Sequence, residues 1–537
     1  MLLFLAGAIP FFTSTTFIGD DHLFLAFARD EPRPWRVLVA DLHGGEFYRP
    51  LPMLVWWVLG RVALAFDLGV GAGIFGALSC ALHSAVAVLV GALVGTVRTG
   101  AADRGGGTCA SSEATAIGST GAPPGVLAAA VFFLLPMPRE AAAWYAASTD
   151  LLAAVFGLGA VLALLRDRRR LATAMFVLAC GSKETAVAFP FLALVGMRAA
   201  GLTWRVALAR VWPLGVVLAT YALVRTLVLH GLGGSGDVAA PLGGRLLQIA
   251  VGVTQIFSTG AESPSPAACA VGACAWVGLA AWRLHDGRRT LDPAGGPAPR
   301  LGWILGWLGF ALAPLIAARW VVGARYFYLP AVGGAWLLAM VLARRGRLIR
   351  VGALALLAGV SVARAAARRD DVRAYEARLV AVRRAVAAGL AGGHRVFQVV
   401  AGIKDLDLAV KEAPALREQA ADFLVLGDVP ASFVETLAAD ASSAPRAPEL
   451  DIEFLLALPP LPPSGGYRFG PHRIVGLARQ GDDPTLDEVL RHFPDLRLLR
   501  LFPLPEPRSA RGGGPPRLVA RDVTEAWLEE REEATDE

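Results

Sequence analysis

Two adjacent carboxylates, Asp20 and Asp21, follow the apolar run with which the chain begins. Paired carboxylates at a membrane surface can divide acid–base work, because one takes a proton from a hydroxyl group while the other holds a metal ion or a sugar. By itself the pair favours a solvated helix N-cap, for which Asp is among the preferred residues. A chemical role for the pair therefore depends on what accompanies it in the chain.

A second pair of charges, Lys183 and Glu184, stands between two short apolar runs. Charged side chains at membrane depth are costly, and those that occur there commonly line a cavity for a substrate or an ion. The alternative is a structural ion pair at a loop. We expect a cavity at this position.

Further charged residues stand at the ends of apolar segments. Arg49, in a Tyr-Arg-Pro-Leu segment, precedes an apolar run, where a guanidinium can meet a lipid phosphate or snorkel to the headgroups. Glu140 and Asp150 add acidic groups around an outer turn, where either could also cap a helix end. Arg325 is followed by aromatic residues up to Tyr328, a pattern that also fits an aromatic belt with an anchoring arginine.

The composition indicates which kind of scaffold must position these residues. The 537 residues are 55% hydrophobic, and the mean hydropathy is +0.52, which together require a lipid bilayer as partner. The formal charge of +6 does not indicate nucleic-acid binding, because the arginines stand in short runs between apolar stretches. The five cysteines show no metal-ligand spacing, so neither a disulfide framework nor a zinc site is predicted.

Apolar runs predict about eleven transmembrane helices, since a span needs about 20 mostly apolar residues. The candidate spans are 2–18, 70–97, 125–146, 148–165, 170–182, 185–198, 210–230, 267–283, 301–320, 326–343 and 348–366. The first is expected to be a retained helix, because it lacks the basic flank and cleavage site of a signal peptide. Residues 51–67 are expected to form a helix lying at the outer membrane surface.

The arginine clusters set the expected orientation, because short cytoplasmic loops carry an excess of Lys and Arg. They place Asp20 and everything after the last span outside the cytoplasm. The pattern after residue 368 alternates between short strands and amphipathic helices, which predicts a soluble α/β domain over 368–505. A Pro, Gly and Arg linker and an acidic end follow, and we expect the tail over 506–537 to be disordered.

Taken in order, these segments resemble the GT-C superfamily of lipid-dependent glycosyltransferases, particularly the transmembrane and tetratricopeptide-repeat O-mannosyltransferases and their bacterial relatives. The resemblance covers roughly residues 15–335. It rests on seven short motifs in the family's order: Asp20-Asp21, Tyr48-Arg49-Pro50-Leu51, Leu82-His83, Glu140-Ala141, Asp150-Leu151-Leu152, Ser182-Lys183-Glu184 and Arg325-Tyr326-Phe327-Tyr328-Leu329-Pro330.

The chain departs from the family pattern in three places. Pro136 and Pro138 stand where the family usually has histidines, and Ser148 and Thr149 replace the arginine that commonly precedes Asp-Leu-Leu. The C-terminal region does not have the pattern of tetratricopeptide repeats, so the acceptor specificity of those relatives is not carried over.

The resemblance implies an inverting glycosyltransferase of the bacterial cytoplasmic membrane. It would move a sugar from a polyprenyl-phosphate donor to a glycan, glycolipid or protein acceptor on the extracytoplasmic face. Asp20 is then the expected general base with Asp21 as its partner, or with the two roles exchanged. The relatives sometimes use a divalent metal ion, for which Asp20 and Asp21 are the candidate ligands.

The remaining candidate residues would serve the donor. Lys183 and Arg325, with Arg49 in support, are the expected cations for the donor phosphate. The substrate-binding set is completed by Glu140, Asp150, Glu184 and Tyr328.

Two other functions remain open from the sequence. A transporter or flippase for a polyprenyl-linked glycolipid would use Lys183, Glu184 and the outer acidic groups to bind substrate or to couple ions. Transporters usually show paired halves, and no such symmetry is visible in the hydropathy. A non-catalytic GT-C scaffold would be expected to lose Asp20 and Asp21, and both are present.

Overall fold

The computed structural model describes most of the chain between residues 47 and 366 together with a group of strands near the C-terminus. The described residues are 21, 24–25, 27–28, 31–39, 47–66, 68–104, 123–230, 242–257, 266–289, 301–317, 324–366, 396–400, 422–426, 467–469, 472–477, 496–503 and 518–522. The expected first span, 2–18, and Asp20 lie outside this set.

The chain divides into two units, and each is described by itself. The first comprises Met1–Thr15, Arg33–Val55 and Gly69–Ala367, and the second comprises Thr16–Pro32, Trp56–Leu68 and Arg368–Glu537.

All regular elements described between residues 31 and 366 are helices. In chain order they are α1 (Pro50–Leu64), α2 (Leu68–Arg104), α3 (Pro124–Leu134), α4 (Arg139–Ala143), α5 (Ser148–Leu165), α6 (Arg169–Cys180), α7 (Phe189–Ala199), α8 (Trp204–Val228), α9 (Leu242–Gln255), α10 (Pro266–Arg289), α11 (Leu301–Ala317), α12 (Tyr328–Ala343) and α13 (Arg347–Ala366). Short 3-10 turns cover Pro34–Leu38, Tyr145–Ala147, Glu184–Ala188 and Ala324–Phe327.

Five helical segments in the described part of the chain are long and apolar enough to cross a membrane. They are Gly71–Val97, Tyr145–Leu165, Trp204–Val228, Arg325–Ala343 and Arg347–Ala366. Each falls on a predicted span. The protein therefore has the apolar helices of a helical membrane protein, as its composition predicts.

The candidate span over 125–146 does not form one continuous helix. Helix α3 ends at Leu134 after 11 residues. The next residue, Leu135, has an extended backbone with ψ 131°, because the ring of a following proline, here Pro136, disfavours the helical conformation. The helix is therefore broken after α3, and the short helix α4, which contains Glu140, precedes α5.

The two runs predicted around Lys183 form helices of 12 and 11 residues, α6 and α7. Each is about half the length of a membrane span. Both pack on α5, and the contact with α7 is close, because a Cβ atom on Gly157 would lie 2.0 Å from the ring of Phe189. The buried face of α5 thus positions the junction between the two short helices.

Helix α9 was not predicted from the sequence. It packs against α10 and α11 and contacts the turn Ala324–Phe327, where Phe327 lies over Gly252. A Cβ atom on Gly252 would lie 2.0 Å from the Phe327 ring, so this approach requires glycine. Helix α9 therefore supports the segment that carries Arg325.

The second unit contains a six-stranded mixed sheet in the order β3-β4-β2-β1-β5-β6. Its strands are β1 (Val396–Val400), β2 (Asp422–Leu426), β3 (Tyr467–Phe469), β4 (His472–Leu477), β5 (Leu496–Pro503) and β6 (Leu518–Asp522). The four central strands are parallel, and the two edge strands pair antiparallel with their neighbours.

Strands β1, β2, β4 and β5 fall on the segments 394–400, 423–426, 472–477 and 496–501, for which the sequence predicts strands. Strand β6 falls within the segment expected to be a disordered tail. Strand β6 pairs antiparallel with β5, and the register runs without interruption from Leu499 opposite Asp522 to Pro503 opposite Leu518. Its backbone groups thus complete the edge of the sheet, which the composition of the tail does not indicate. The helices expected between the strands lie outside the described residues.

Candidate functional site

The junction between α6 and α7 is fixed to the start of α1 by the backbone. The Leu51 amide donates a hydrogen bond to the Gly181 carbonyl, with an N···O distance of 3.0 Å. The fully buried Ser182 hydroxyl donates to the Leu178 carbonyl at 2.7 Å, which ties the junction back to α6. This connection brings the arginine that precedes α1 next to the charges of the junction.

Glu184 accepts hydrogen bonds from two arginines. Arg49 donates through Nε and Nη2 at 3.1 and 2.8 Å to the same carboxylate oxygen, and Arg225 of α8 donates to the other oxygen at 2.9 Å. The carboxylate is thereby shared between the start of α1 and the last turn of α8. Charge-assisted bonds of this kind are stronger than neutral ones.

The two arginines control the ionisation of Glu184. Burial by itself raises the pKa of the carboxyl group, but the nearby charges and hydrogen bonds of Arg49 and Arg225 outweigh it and lower the pKa to about 2. For Arg49, burial lowers the guanidinium pKa, and Glu184 reverses the effect and raises it. Glu184 is therefore ionised throughout the physiological pH range.

Aromatic residues hold the backbone around Arg49. The Tyr221 hydroxyl donates to the Tyr48 carbonyl at 3.2 Å, and the Tyr48 hydroxyl donates to the Leu38 carbonyl at 2.9 Å. The Arg49 guanidinium lies 4.1 Å from the centroid of the Phe47 ring. These contacts fix the backbone at Tyr48 and the position of the Arg49 guanidinium.

Lys183 and Asp150 form a second, deeper ion pair. The Lys183 ammonium lies 2.5 Å from the Asp150 carboxylate, and the side chains are only 6% and 7% exposed. Asp150 stands in the first turn of α5, so the pair joins that helix to the α6–α7 junction. Each charge neutralises the other in an environment where neither could stand alone.

The aromatic ring of Tyr326 joins Lys183 to Arg325. The Lys183 ammonium lies 4.8 Å from the ring centroid, and the Arg325 guanidinium lies 5.1 Å from the same centroid. Arg325 also stacks on Trp144, with its guanidinium carbon 4.0 Å from that ring centroid. Cation–π contacts of this kind stabilise charge in a desolvated site.

A buried histidine positions Tyr328 at the first turn of α12. His83 Nδ1 lies 2.8 Å from the Tyr328 hydroxyl, and His83 Nε2 lies 3.4 Å from the Phe133 carbonyl. Since a carbonyl only accepts, Nε2 carries a proton in this geometry and donates it to the Phe133 carbonyl. The buried Arg139 also points a guanidinium nitrogen at the Phe133 carbonyl, at 3.5 Å.

The structure brings together most of the residues proposed from the sequence. The charged or phenolic side chains it assembles in the first unit are Arg49, Asp150, Lys183, Glu184, Arg325 and Tyr328. Of Glu140, the structure gives only the backbone, in α4. Asp20 lies outside the described residues.

Asp21 lies in the second unit and is fully buried within a helical stretch. A solvated helix cap does not fit this burial. Among the described residues, no group of three or more His, Cys, Asp or Glu side chains could hold a metal ion. The metal ligands considered in the sequence include Asp20, so the described residues do not test that prediction.

Sequence reasoning missed three residues of the site. Arg225 is a second partner of Glu184, Trp144 stacks on Arg325, and Tyr326 links the two cations. Arg225 had a visible signal, because it is the one charged residue in the helix Trp204–Val228 after Arg210 and stands near the end of that helix. Tyr326 lies in the motif from Arg325 to Pro330 but was given no role, and Trp144 had no signal beyond its aromatic character.

A comparison with protein-family models finds no match, and a comparison with curated proteins finds none either. The interpretation of the site therefore rests on its own geometry.

Glu184→Gln should lower the free energy of unfolding by about 1.5 to 3 kcal/mol at pH 7, the usual contribution of hydrogen bonds to a charged group. A carboxyl group whose pKa is lowered on folding stabilises the protein above its unfolded pKa. That contribution is lost as the pH falls through the folded pKa of about 2. The difference between wild type and variant should hold down to about pH 5 and then narrow. Thermal unfolding in detergent from pH 7 to pH 2 measures it.

Asp167→Asn is the matched control, because Asp167 also faces two arginines, Arg169 and Arg210, but its side chain is 54% exposed. Asn tolerates the positive φ of 58° at this position. This variant should change stability little. Equal losses in both variants would contradict a special contribution of Glu184.

Proposed function

We propose that this protein is a membrane glycosyltransferase of the GT-C type. It would move a sugar from a polyprenyl-phosphate-linked donor to a glycan, glycolipid or protein acceptor on the extracytoplasmic face. The observation that supports this function best is an excess of positive charge gathered among apolar helices.

The described side chains of the site carry four cations, Arg49, Lys183, Arg225 and Arg325, and two carboxylates, Asp150 and Glu184. The cations thus exceed the carboxylates by two. Several cations gathered among apolar helices favour an anionic ligand. A phosphate linked to a polyprenyl chain supplies the charge, and its hydrocarbon tail suits the bilayer.

The ion pairs suggest how the cations share the work. Arg49 and Arg225 are hydrogen-bonded to Glu184, and Lys183 is hydrogen-bonded to Asp150. These three cations therefore serve mainly to fix the geometry of the site. Arg325 stacks on the rings of Trp144 and Tyr326, and a planar guanidinium can recognise a phosphate through two parallel hydrogen bonds. In this proposal Arg325 is the principal phosphate ligand.

The acceptor side of the reaction is assigned to the carboxylates near the N-terminus. Inversion at the anomeric carbon needs a base that removes the proton of the acceptor hydroxyl. Asp20 takes that role with Asp21 as its partner. The chain would cross the cytoplasmic membrane about eleven times and carry a soluble α/β domain outside.

Reporter fusions at residues 30 and 400 should both give extracytoplasmic signals, because the arginine clusters place both positions on the same side. Alkaline phosphatase, which is active only outside the cytoplasm, and green fluorescent protein, which fluoresces inside, make a complementary pair of reporters. Opposite sides for the two fusions would mean that an odd number of spans between them has been miscounted.

Mass spectrometry of the cell envelope tests the function. A strain that lacks the protein should accumulate the sugar-loaded polyprenyl phosphate and should show a glycan, glycolipid or glycoprotein that is one sugar short. The wild-type gene should restore both. An unchanged set of glycosylated molecules in the deletion strain would overturn the proposal.

A further inference from the structure

Arginines gather where α5 passes into α6 and where α8 begins. The segments 166–171 and 203–212 together contain six arginines and a single acidic residue, Asp167. Five of these arginines are exposed, and they are here called the basic surface: Arg166, Arg168, Arg169, Arg170 and Arg205. An excess of exposed positive charge in one place attracts anionic partners.

The sixth arginine, Arg210 of α8, connects the two segments. Its Nε atom lies 3.2 Å from the Asp167 carboxylate, and its Nη1 atom donates to the Leu164 carbonyl at 3.2 Å. The same Asp167 oxygen accepts a hydrogen bond from Arg169 at 3.3 Å. The turn between α5 and α6 is therefore fixed against α8, so the arginines of both segments belong to one side of the first unit.

Most of the charge on the basic surface is left for a partner outside the chain. Four of its arginines make no ion pair with any residue that the structure describes: Arg166, Arg168, Arg170 and Arg205. Arg168 is the N-cap residue of α6 and Arg170 is in its first turn, where the helix dipole disfavours cations. The local structure of α6 therefore does not account for these charges.

The basic surface continues into an exposed apolar face of α8. The side chains of this face recur at helical spacing and are each between 48% and 65% exposed: Trp204, Leu208, Trp212, Val216, Leu223 and Leu227. Helix α8 is long and apolar enough to cross a membrane, so this face suits the hydrocarbon of a bilayer. Tryptophan is enriched at the membrane–water interface, which puts Trp204 and the adjacent Arg205 at the depth of the headgroups.

We propose that the basic surface binds the headgroups of anionic phospholipids. A diacyl lipid with a net negative charge matches both features, since its phosphate meets the arginines and its acyl chains lie along the exposed face of α8. A nucleic acid or an acidic protein would match the charge alone. The inference does not depend on the proposed sugar transfer. Arginine clusters also orient a membrane protein during insertion, and the experiment separates that role from lipid binding.

Native mass spectrometry of the purified protein in detergent measures the affinity for added lipid. Wild type should bind palmitoyl-oleoyl phosphatidylglycerol more tightly than the phosphatidylcholine with the same acyl chains. The double variant Arg168→Gln with Arg170→Gln should bind phosphatidylglycerol about 25-fold more weakly, because each basic residue near an anionic lipid surface contributes roughly fivefold. Its affinity for phosphatidylcholine should not change. Thermal unfolding should show a folded protein, since the two charges do not stabilise α6.

The double variant Arg33→Gln with Arg36→Gln is the matched control. These two exposed arginines flank Trp35, which is 61% exposed, but both already interact with other groups of the protein. This variant loses the same charge and should bind phosphatidylglycerol as wild type does. An equal loss in the two double variants would overturn the inference, because attraction to the net charge of the protein would then explain the binding.

Two further results would also overturn the inference. If the variant with Arg168→Gln and Arg170→Gln keeps wild-type affinity for phosphatidylglycerol, these arginines serve only to orient the chain during insertion. If it loses affinity for phosphatidylglycerol and phosphatidylcholine equally, the lost contact is not to a negative headgroup. Neither result affects the proposed sugar transfer, which the envelope glycans of the deletion strain test separately.

Discussion

Asp20→Asn should leave at most about 1% of sugar transfer, while expression, membrane insertion and donor binding stay at wild-type levels. The substitution removes a proton acceptor with almost no change of volume. General-base catalysis typically contributes about a hundredfold to ten-thousandfold in rate. Transfer by purified protein, measured with a donor taken from the deletion strain, gives the comparison.

The neighbouring carboxylate provides the control. Asn caps a helix about as well as Asp, so a capping role for Asp20 predicts nearly full activity. An inactive Asp21→Asn with an active Asp20→Asn would exchange the two roles and keep the mechanism. If both variants transfer sugar at the wild-type rate, neither carboxylate is the general base, and a glycolipid transporter becomes the better explanation of the protein.

Lys183→Met should destabilise the folded protein by about 3 to 5 kcal/mol, the usual cost of leaving one member of a buried ion pair without its partner. The Asp150 carboxylate, whose side chain is only 7% exposed, would then lose the cation that it contacts. Thermal or denaturant unfolding in detergent measures the loss. Reduced transfer by this variant would therefore not by itself identify Lys183 as a phosphate ligand.

The double substitution Lys183→Met with Asp150→Asn separates the two contributions. It removes both charges, so most of the lost stability should return. If the double variant is folded and still binds the donor poorly, the pair also serves the ligand. A single variant as stable as wild type would mean that the two side chains do not form the pair in the membrane.

Much of the scaffold could be predicted from the sequence because it depends on local patterns. Apolar runs give the helices that contain Arg325 and Asp150, and the cost of charge in a membrane singles out Lys183 and Glu184. The break after Leu134 could also have been recognised, since Pro136 and Pro138 are both incompatible with a continuous helix.

The pairing of charges could not be predicted, because it depends on which helices pack together. Arg49 and Glu184 are separated by 135 residues, and Lys183 and Asp150 by 33. The sequence indicated a cavity at Lys183 and Glu184, with a structural ion pair at a loop as the alternative, and the structure gives each residue a distant partner. Helix α9 was missed because its glycines and polar residues weaken the apolar signal.

The distances along the chain at Glu184 constrain how the protein is made. Arg49 leaves the ribosome 135 residues before its carboxylate partner, whereas Arg225 follows that carboxylate by 41 residues. During synthesis Arg49 must therefore wait in the aqueous channel or at the headgroups until the α6–α7 junction arrives, since an unpaired arginine enters lipid poorly. Helix α8 meets an ionised acceptor that is already in place. The ion-paired group of Arg49, Glu184 and Arg225 thus sets an order of assembly, in which the start of α1 is among the last parts of this site to be buried.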